Sequence, residues 1–233
     1  IVDLVQCKKQ IDLVVPRGGS TLIDFVSEHS LIPVVKHDKG VCSIYIAADA
    51  PFTMAREIVL NAKTQRPGVC NSVECLLVDA AWPHTKDLMA ALQESGVTLH
   101  SDAGGIQEFK ERGVDVQPFL NDLGFGHEYL SLDASVRFVK NIDAAIEHIL
   151  TYSSRHSEAI ITQDILQATQ FVDALDSAAV FVNASTRFHD GSCFGLGAEV
   201  GIATGKLHVR GPMGIKDLTS MRYIVHGQGE IRR

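Results

Sequence analysis

The sequence lacks any apolar run close to the roughly 18 residues that suggest a membrane span. It also lacks the basic segment followed by an apolar core that marks a secretory signal peptide. Acidic residues outnumber basic ones by 28 to 21, so the formal net charge is -7 and no basic nucleic-acid-binding face is predicted. We therefore expect no membrane or nucleic-acid partner. An anionic small-molecule substrate stays compatible, because a few arginines can set the local potential.

The cysteines also exclude certain classes of protein. There are five, and they occur singly without a C-x-x-C pair: Cys7, Cys42, Cys70, Cys75 and Cys193. An odd, scattered set argues against a disulfide scaffold and against a structural zinc site, so we predict no metal. The expected location is the reducing cytoplasm, where one thiol can serve as a nucleophile.

Strand-like and helix-like apolar patterns alternate along the chain, which predicts an α/β fold with largely parallel sheets. Strands are predicted at residues 11–15, 33–35, 43–46, 74–78, 97–100, 136–139, 159–161 and 179–182. Helices are predicted at residues 20–28, 55–62, 86–94, 142–149 and 168–175. Residues 113–128 and 183–214 interrupt the pattern, and long irregular segments inside compact domains are often functional.

Cys70 is the first candidate for chemistry. Two cations, Lys63 and Arg66, and a Pro-Gly turn precede it, between an amphipathic helix and a strand. Such surroundings can lower the pKa of a thiol and present it in a cleft. The residues alone, however, favour an unreactive buried cysteine.

Two polar segments are candidates for binding anions. Arg17-Gly18-Gly19-Ser20 joins a predicted strand to a helix, where free backbone N–H groups can bind phosphate, although the residues alone favour an ordinary turn. Residues 183–191 follow a predicted strand and offer hydroxyl, amide and guanidinium groups for an anionic substrate, or form a polar surface turn. Between them, His156 could cap backbone carbonyls or contact a substrate.

Taken together, five segments resemble the γ-glutamyl phosphate reductases (glutamate-5-semialdehyde dehydrogenases) of the aldehyde dehydrogenase superfamily. The segments are PRGGS at 16–20, KTQRPGVCN at 63–71, VKNIDAAIEHILTYSSRHSEAI at 139–160, NASTRFHDG at 183–191 and FGLGAEVGIATGKLHVRGPMG at 194–214. The resemblance implies NADPH-dependent reduction of L-glutamyl 5-phosphate, an acyl phosphate, to L-glutamate 5-semialdehyde in proline synthesis. It also implies that Cys70 is the nucleophile that forms a thioester.

The resemblance further implies roles for other residues. Glu128 is similar to the superfamily glutamate that holds the nicotinamide ribose, although Leu130-Ser131-Leu132 replaces the usual Phe-Gly-Pro beyond it. The implied cofactor-binding residues are Arg17, Gly18, Gly19, Ser20 and Glu128. The implied substrate-binding residues are Asn71, His156, Asn183, Ser185, Thr186 and Arg187. Lys63 and Arg66 are expected to serve phosphate or cofactor.

The superfamily organisation implies three parts. Residues 1–66 would end the NADP-binding domain, residues 67–190 would form the catalytic domain, and residues 191–233 would return to the cofactor domain and add an oligomerisation strand. Against the family the chain lacks a large N-terminal portion. We therefore expect a C-terminal part that is inactive alone and belongs to a homo-oligomer.

Three alternatives remain open. A hydrolytic aldehyde dehydrogenase would oxidise the semialdehyde without phosphate. A non-catalytic fragment would serve only oligomerisation, through strands at residues 179–182 and 221–225. Finally, the same segment closes the bifunctional pyrroline-5-carboxylate synthases, in which a glutamate 5-kinase domain lies upstream.

Overall fold

The computed structural model describes residues 1–36, 39–206 and 208–233, with the side chain of Ser20 left undescribed. Its helices are α1 (Val2–Val5), α2 (Ser20–His29), α3 (Phe52–Thr64), α4 (Thr85–Glu94), α5 (Ala103–Glu111), α6 (Ile142–Tyr152) and α7 (Ile165–Ala174). Its strands are β1 (Cys42–Ile46), β2 (Val73–Asp79), β3 (Thr98–Ser101), β4 (Gln117–Pro118), β5 (Asp133–Val139), β6 (Ser157–Ile161), β7 (Ala179–Val182), β8 (Ile202–Ala203) and β9 (Gly211–Pro212). Short 3-10 turns lie at Gly124–Gly126, Thr186–Phe188 and Ile215–Leu218.

Seven strands form one sheet in the order β4-β3-β5-β2-β1-β6-β7, and every neighbouring pair is parallel. Strands β1, β2 and β6 are buried along their whole length, as expected for a parallel sheet covered on both faces. Strands β8 and β9 make a separate antiparallel pair. The predicted α/β class is therefore confirmed.

The sheet separates two apolar cores, because successive side chains of a strand point to opposite faces. On β1, Ile44 and Ile46 join the core that contains residues of α3 and α4. Tyr45 lies between them in sequence and joins the other core, together with residues of α6 and α7 such as Ile149 and Phe171. None of the helices in the described ranges is long and apolar enough to cross a bilayer.

The structure departs from the predicted elements at several places. Residues 11–15 and 33–35 do not form strands and share only an isolated bridge between Val14 and Val34. Helix α5 was not predicted, because two glycines in its first turn are unfavourable for a helix. Its start is instead stabilised by an N-cap, in which the Asp102 carboxylate accepts from Gly105 N. Residues 221–225 form no strand and are exposed.

The predicted boundary between residues 66 and 67 falls inside the sheet-forming unit. Strand β1 comes before that boundary, yet it pairs with β2 on one side and with β6 on the other. The unit that contains Cys70 therefore begins before β1. The assignment of the flanking segments to a cofactor domain stays a prediction.

A buried ion pair connects α3 to β2. Lys63 Nζ lies 3.2 Å from Glu74 Oε2, and both side chains are 0% exposed. Lys63 Nζ also donates to the Val73 carbonyl at 2.9 Å. Glu74 in turn accepts from the backbone N–H groups of Tyr129 and Leu130. The expectation that Lys63 serves phosphate or cofactor is therefore wrong, since its ammonium group lies in the core.

Removing one member of this pair should be more damaging than replacing both. Lys63→Met leaves the Glu74 carboxylate buried and uncompensated, so we expect the free energy of unfolding to fall by about 3–5 kcal/mol. Lys63→Met combined with Glu74→Leu should lower the free energy of unfolding by less than Lys63→Met alone, because no unpaired charge is then left in the core. Denaturant unfolding of the natural polypeptide that carries this sequence measures both values. A double variant that is as unstable as Lys63→Met, or less stable, would contradict the pairing.

Candidate active site

A cleft of about 990 Å³ opens along the edge of the sheet where four strands begin. The loops that enter these strands supply lining residues: Lys39 before β1, Cys70 before β2, Glu128 before β5 and Ser154 before β6. Residues 17–19, Glu199, Gly201 and Ile202 also line it. Because parallel strands begin at the same edge, residues distant in sequence converge here.

Cys70 is half-buried in this cleft and is fixed by close backbone contact. A Cβ atom at Gly40 would lie 2.0 Å from the Cys70 carbonyl oxygen and 2.6 Å from its Cα, so only glycine fits at position 40. Beneath this contact, the Cys42 thiol donates to the same carbonyl at 3.1 Å. The contacts with Gly40 and Cys42 thus hold the loop that carries Cys70 in place.

The surroundings of Cys70 raise the pKa of its thiol, whereas the sequence predicted a lowered pKa. Burial, followed by the charges of Glu128 and Glu199, raises the pKa of the thiol to about 11, although Arg17 acts in the lowering direction. The predicted lowering by neighbouring cations is therefore wrong for the ligand-free protein. One of those cations, Lys63, is paired with Glu74 in the core.

Asn71 joins the cysteine loop to the segment after β7. Its Nδ2 donates to the His189 carbonyl at 3.0 Å, and Thr186 Oγ1 donates to the Asn71 carbonyl at 2.7 Å. Asn71 is 4% exposed, and its Oδ1 has no hydrogen-bond partner within the described part of the chain. This turn presents Arg187 at the cleft, where Gln65 Oε1 accepts from Arg187 Nε at 3.0 Å.

The predicted substrate residues therefore separate into two groups. Asn71 and Arg187 line the cleft, whereas His156, Asn183, Ser185 and Thr186 are absent from its described lining. The Asn183 amide instead bonds both backbone groups of Thr162 at the far end of β6.

The other residues absent from the lining support the loops of the site. His156 is 0% exposed, and its Nδ1 pairs with Ser157 Oγ at 2.7 Å. Ser157 Oγ lies 2.8 Å from His189 Nδ1, and Ser185 Oγ accepts from Arg187 N. Direct ligand contact by these side chains is not supported, because they are buried or already hold the backbone that carries Arg187.

The predicted cofactor residues lie together. Arg17, Gly18 and Gly19 line the cleft at the start of α2, and Gly19 is the N-cap residue. A Cβ atom at Gly19 would meet nothing within 4 Å, so this helix end is open to a ligand. Glu128 Oε1 accepts from Gly40 N at 2.7 Å, which orients its carboxylate beside the cysteine loop. An anionic nucleotide phosphate fits this helix end.

The sequence analysis gave no individual role to several lining residues. They are Ile23, Asp24, Lys39, Gly68, Val69, Leu130, Ser154, Asp190, Glu199, Gly201 and Ile202. It also gave no role to Gly40, whose importance comes from a contact across 30 positions of sequence, which local patterns do not encode. Glu199 and Gly201 lie within a glycine-rich stretch, and that pattern was the available signal.

Known proteins were found that match the chain along its length. It is 48% identical over 232 residues to the γ-glutamyl phosphate reductase of a Sulfurovum species, covering 100% of the chain and 56% of that relative. The solved structure of γ-glutamyl phosphate reductase from Thermotoga maritima matches with a TM-score of 0.90 at 39% identity, covering 100% and 55%. This chain is a relative of the γ-glutamyl phosphate reductases. The resemblance inferred from the sequence motifs is thereby confirmed.

A more distant structure shows the fold class. An acetylating aldehyde dehydrogenase from Geobacillus thermoglucosidasius matches with a TM-score of 0.73 at 17% identity, covering 100% of the chain and 60% of that protein. The predicted aldehyde-dehydrogenase-like fold is confirmed as a partial one, because the chain spans about half the length of the curated relatives it matches. No protein-family model matches the chain.

The raised pKa of Cys70 predicts its reactivity. Because the thiolate is the reactive form, the rate of alkylation by iodoacetamide should rise about tenfold per pH unit and continue rising to pH 10 in ligand-free protein. Mass spectrometry of the Cys70 peptide measures the rate, and the exposed Cys193 reports on the reagent in the same sample. A plateau below pH 8 would show that the thiol is activated without a ligand.

Proposed function

We propose that the natural polypeptide carrying this sequence reduces L-glutamyl 5-phosphate to L-glutamate 5-semialdehyde and phosphate, through a thioester on Cys70. One observation carries the proposal: the pinned Cys70 loop faces a cleft with the guanidinium groups of Arg17, Arg66 and Arg187. The similarity of the chain, along its whole length, to part of the γ-glutamyl phosphate reductases suggests the substrate.

The first step is attack of the Cys70 sulfur on the acyl carbon. A C–S bond forms, and the bond between that carbon and the phosphate oxygen breaks. Because burial keeps the Cys70 thiol largely protonated near neutral pH, its proton leaves with the departing phosphate as hydrogen phosphate. The backbone N–H of Cys70 is the proposed donor to the oxyanion formed on the carbonyl oxygen.

The anionic ends of the substrate need cations. Guanidinium groups bind phosphate and carboxylate through paired hydrogen bonds, which suits Arg66 and Arg187 in the cleft. The bond from Arg187 to Gln65 fixes the direction of that side chain. Asn71 also lines the cleft, where its Nδ2 donates to the His189 carbonyl and so connects the Cys70 loop to the segment of Arg187.

NADPH is the proposed cofactor. Gly18, Gly19 and the backbone of Ser20 at the start of α2 would hold its phosphates together with Arg17, and Glu128 would hold a ribose hydroxyl. When bound, NADPH supplies the hydride that converts the thioester to the aldehyde oxidation level. The half-buried position of Cys70 then limits access of water to the thioester.

The hydrolytic alternative requires a general base that activates water against the thioester. Glu128 and Glu199 are the carboxylates whose charges act on Cys70, so they are the candidates for that base. The non-catalytic alternative requires neither base nor accessible thiol. Two measurements distinguish these alternatives: whether turnover to NADPH needs phosphate, and whether activity survives removal of the Cys70 thiol.

The test uses the natural polypeptide in the oxidative direction. With L-glutamate 5-semialdehyde and NADP, we expect continuous turnover to NADPH only when inorganic phosphate is present, and Cys70→Ser should lower the rate by at least about a thousandfold. Cys193→Ser is the matched control at an exposed thiol and should retain activity. Phosphate-independent oxidation would move the protein to the hydrolytic class, and activity in Cys70→Ser would exclude the thioester route.

We also propose a homo-oligomer, and an upstream glutamate 5-kinase, separate or fused, as the source of the acyl phosphate. Strand β7 lies at an edge of the sheet, and Met221, Tyr223 and Val225 are 88%, 89% and 88% exposed. An exposed apolar segment and an open strand edge are the features that pair between subunits. Light scattering of the natural polypeptide would show a single-subunit mass if this proposal is wrong.

A further inference from the structure

We propose that Glu199 binds the α-ammonium group of the substrate and thereby selects acyl phosphates and aldehydes derived from an α-amino acid. This inference rests on the proposed function and deepens it. The glutamyl chain carries two anionic groups, the phosphate and the α-carboxylate, and one cationic group. A selective site must therefore place one carboxylate among its cations.

The position of Glu199 is built by two segments that are separate in sequence. Its Oε2 accepts from Gly191 N at 2.9 Å, and its Oε1 has no hydrogen bond to the described residues. A Cβ atom at Gly191 would lie only 2.9 Å from the Cβ of Glu199, so the missing side chain at 191 allows this close packing. The carboxylate is thus oriented on the cleft wall, although its residue is exposed.

The other acids of the cleft have different surroundings. Glu128 is bonded to Gly40 N beside the proposed ribose site. Asp190 Oδ1 accepts from the backbone N–H groups of Ser192 and Cys193, so these contacts stay within its own turn. Asp24 lies on helix α2, on the proposed cofactor side. Glu199 is the acid best placed for the substrate.

The length of the substrate requires an ammonium site close to Cys70. Four single bonds separate the acyl carbon from the α-nitrogen, a span of about 5 Å when extended. Glu199 is near enough to Cys70 for its charge to raise the pKa of the thiol. A bound ammonium would offset that charge, so binding of the correct substrate would also favour the Cys70 thiolate.

The test compares two aldehydes in the natural polypeptide, with NADP and inorganic phosphate: L-glutamate 5-semialdehyde and 5-oxopentanoate, which lacks the amino group. Glu199→Gln should lower kcat/KM for the amino aldehyde by about tenfold to a hundredfold, as expected for loss of a charged hydrogen bond. The value for 5-oxopentanoate should change less than about threefold. Each variant is compared with wild type on the same aldehyde, so ring closure of the amino aldehyde cancels.

Two further variants and a second readout sharpen the result. Glu199→Asp keeps the charge and should recover part of the discrimination, and Glu57→Gln, an exposed change on α3, should alter neither substrate. In ligand-free protein, Glu199→Gln should speed alkylation of Cys70 at pH 8, because one charge that raises its pKa is removed.

Three results would overturn the assignment. Equal losses on both aldehydes in folded Glu199→Gln would show a role unrelated to the amino group. Selective loss in Asp190→Asn instead of Glu199→Gln would move the ammonium site to Asp190. Unchanged discrimination in Glu199→Gln would remove the site altogether. Absence of phosphate-dependent activity in the wild type would instead refute the proposed function, so the two failures are distinguishable.

Discussion

The buried pair of Lys63 and Glu74 is the interaction on which the geometry of the site depends most. Two charged side chains are costly to remove from water, so a pair that is fully buried must be held by other contacts. Here Glu74 also accepts from two backbone N–H groups, those of Tyr129 and Leu130, directly after Glu128. Lys63 also binds the first residue of β2. One pair therefore sets the end of α3, the start of β2 and the segment that presents Glu128.

A second set of buried polar contacts holds together the segments that contain Asn71, His156 and His189. Ser157 Oγ lies between His156 and His189, and Asn71 holds the carbonyl of His189. Burial lowers the pKa of His189 to about 4, so this network works with a neutral histidine at physiological pH. Neutral hydrogen-bonded groups can be buried at low cost, which suits a rigid support beneath a reactive loop.

A buried carboxyl group plays a similar part near β6. Burial raises the pKa of Glu158 to about 8, although it accepts from Ser43 N at 3.0 Å and bonds the hydroxyl of Ser153. Ser153 precedes Ser154, which lines the cleft and accepts from Val41 N. His156 and Glu158 thus hold the loops of the site in place through buried hydrogen bonds instead of contacting a ligand.

The sequence allowed the sheet and most helices to be predicted, because apolar periodicity is a local signal that matches two buried faces. Motifs likewise predicted Cys70, Arg17 and Arg187 as site residues, and all three line the cleft. What failed depends on contacts between distant residues. The burial of Lys63, the fit of Gly40 against Cys70, and the direction of the thiol pKa arise only when the loops before four strands converge. The roles predicted for His156 and Asn183 failed for the same reason.

The central claim is that Cys70 carries the acyl group between phosphate and hydride chemistry. The most direct measurement mixes the natural polypeptide with L-glutamate 5-semialdehyde and NADP without phosphate, stops the reaction, and locates the acyl group by mass spectrometry. The account predicts a burst of NADPH no larger than the number of active sites and a glutamyl thioester on the Cys70 peptide, discharged by adding phosphate. A burst with the acyl group on another residue, or NADPH formation with an unmodified Cys70 at every time point, would contradict it.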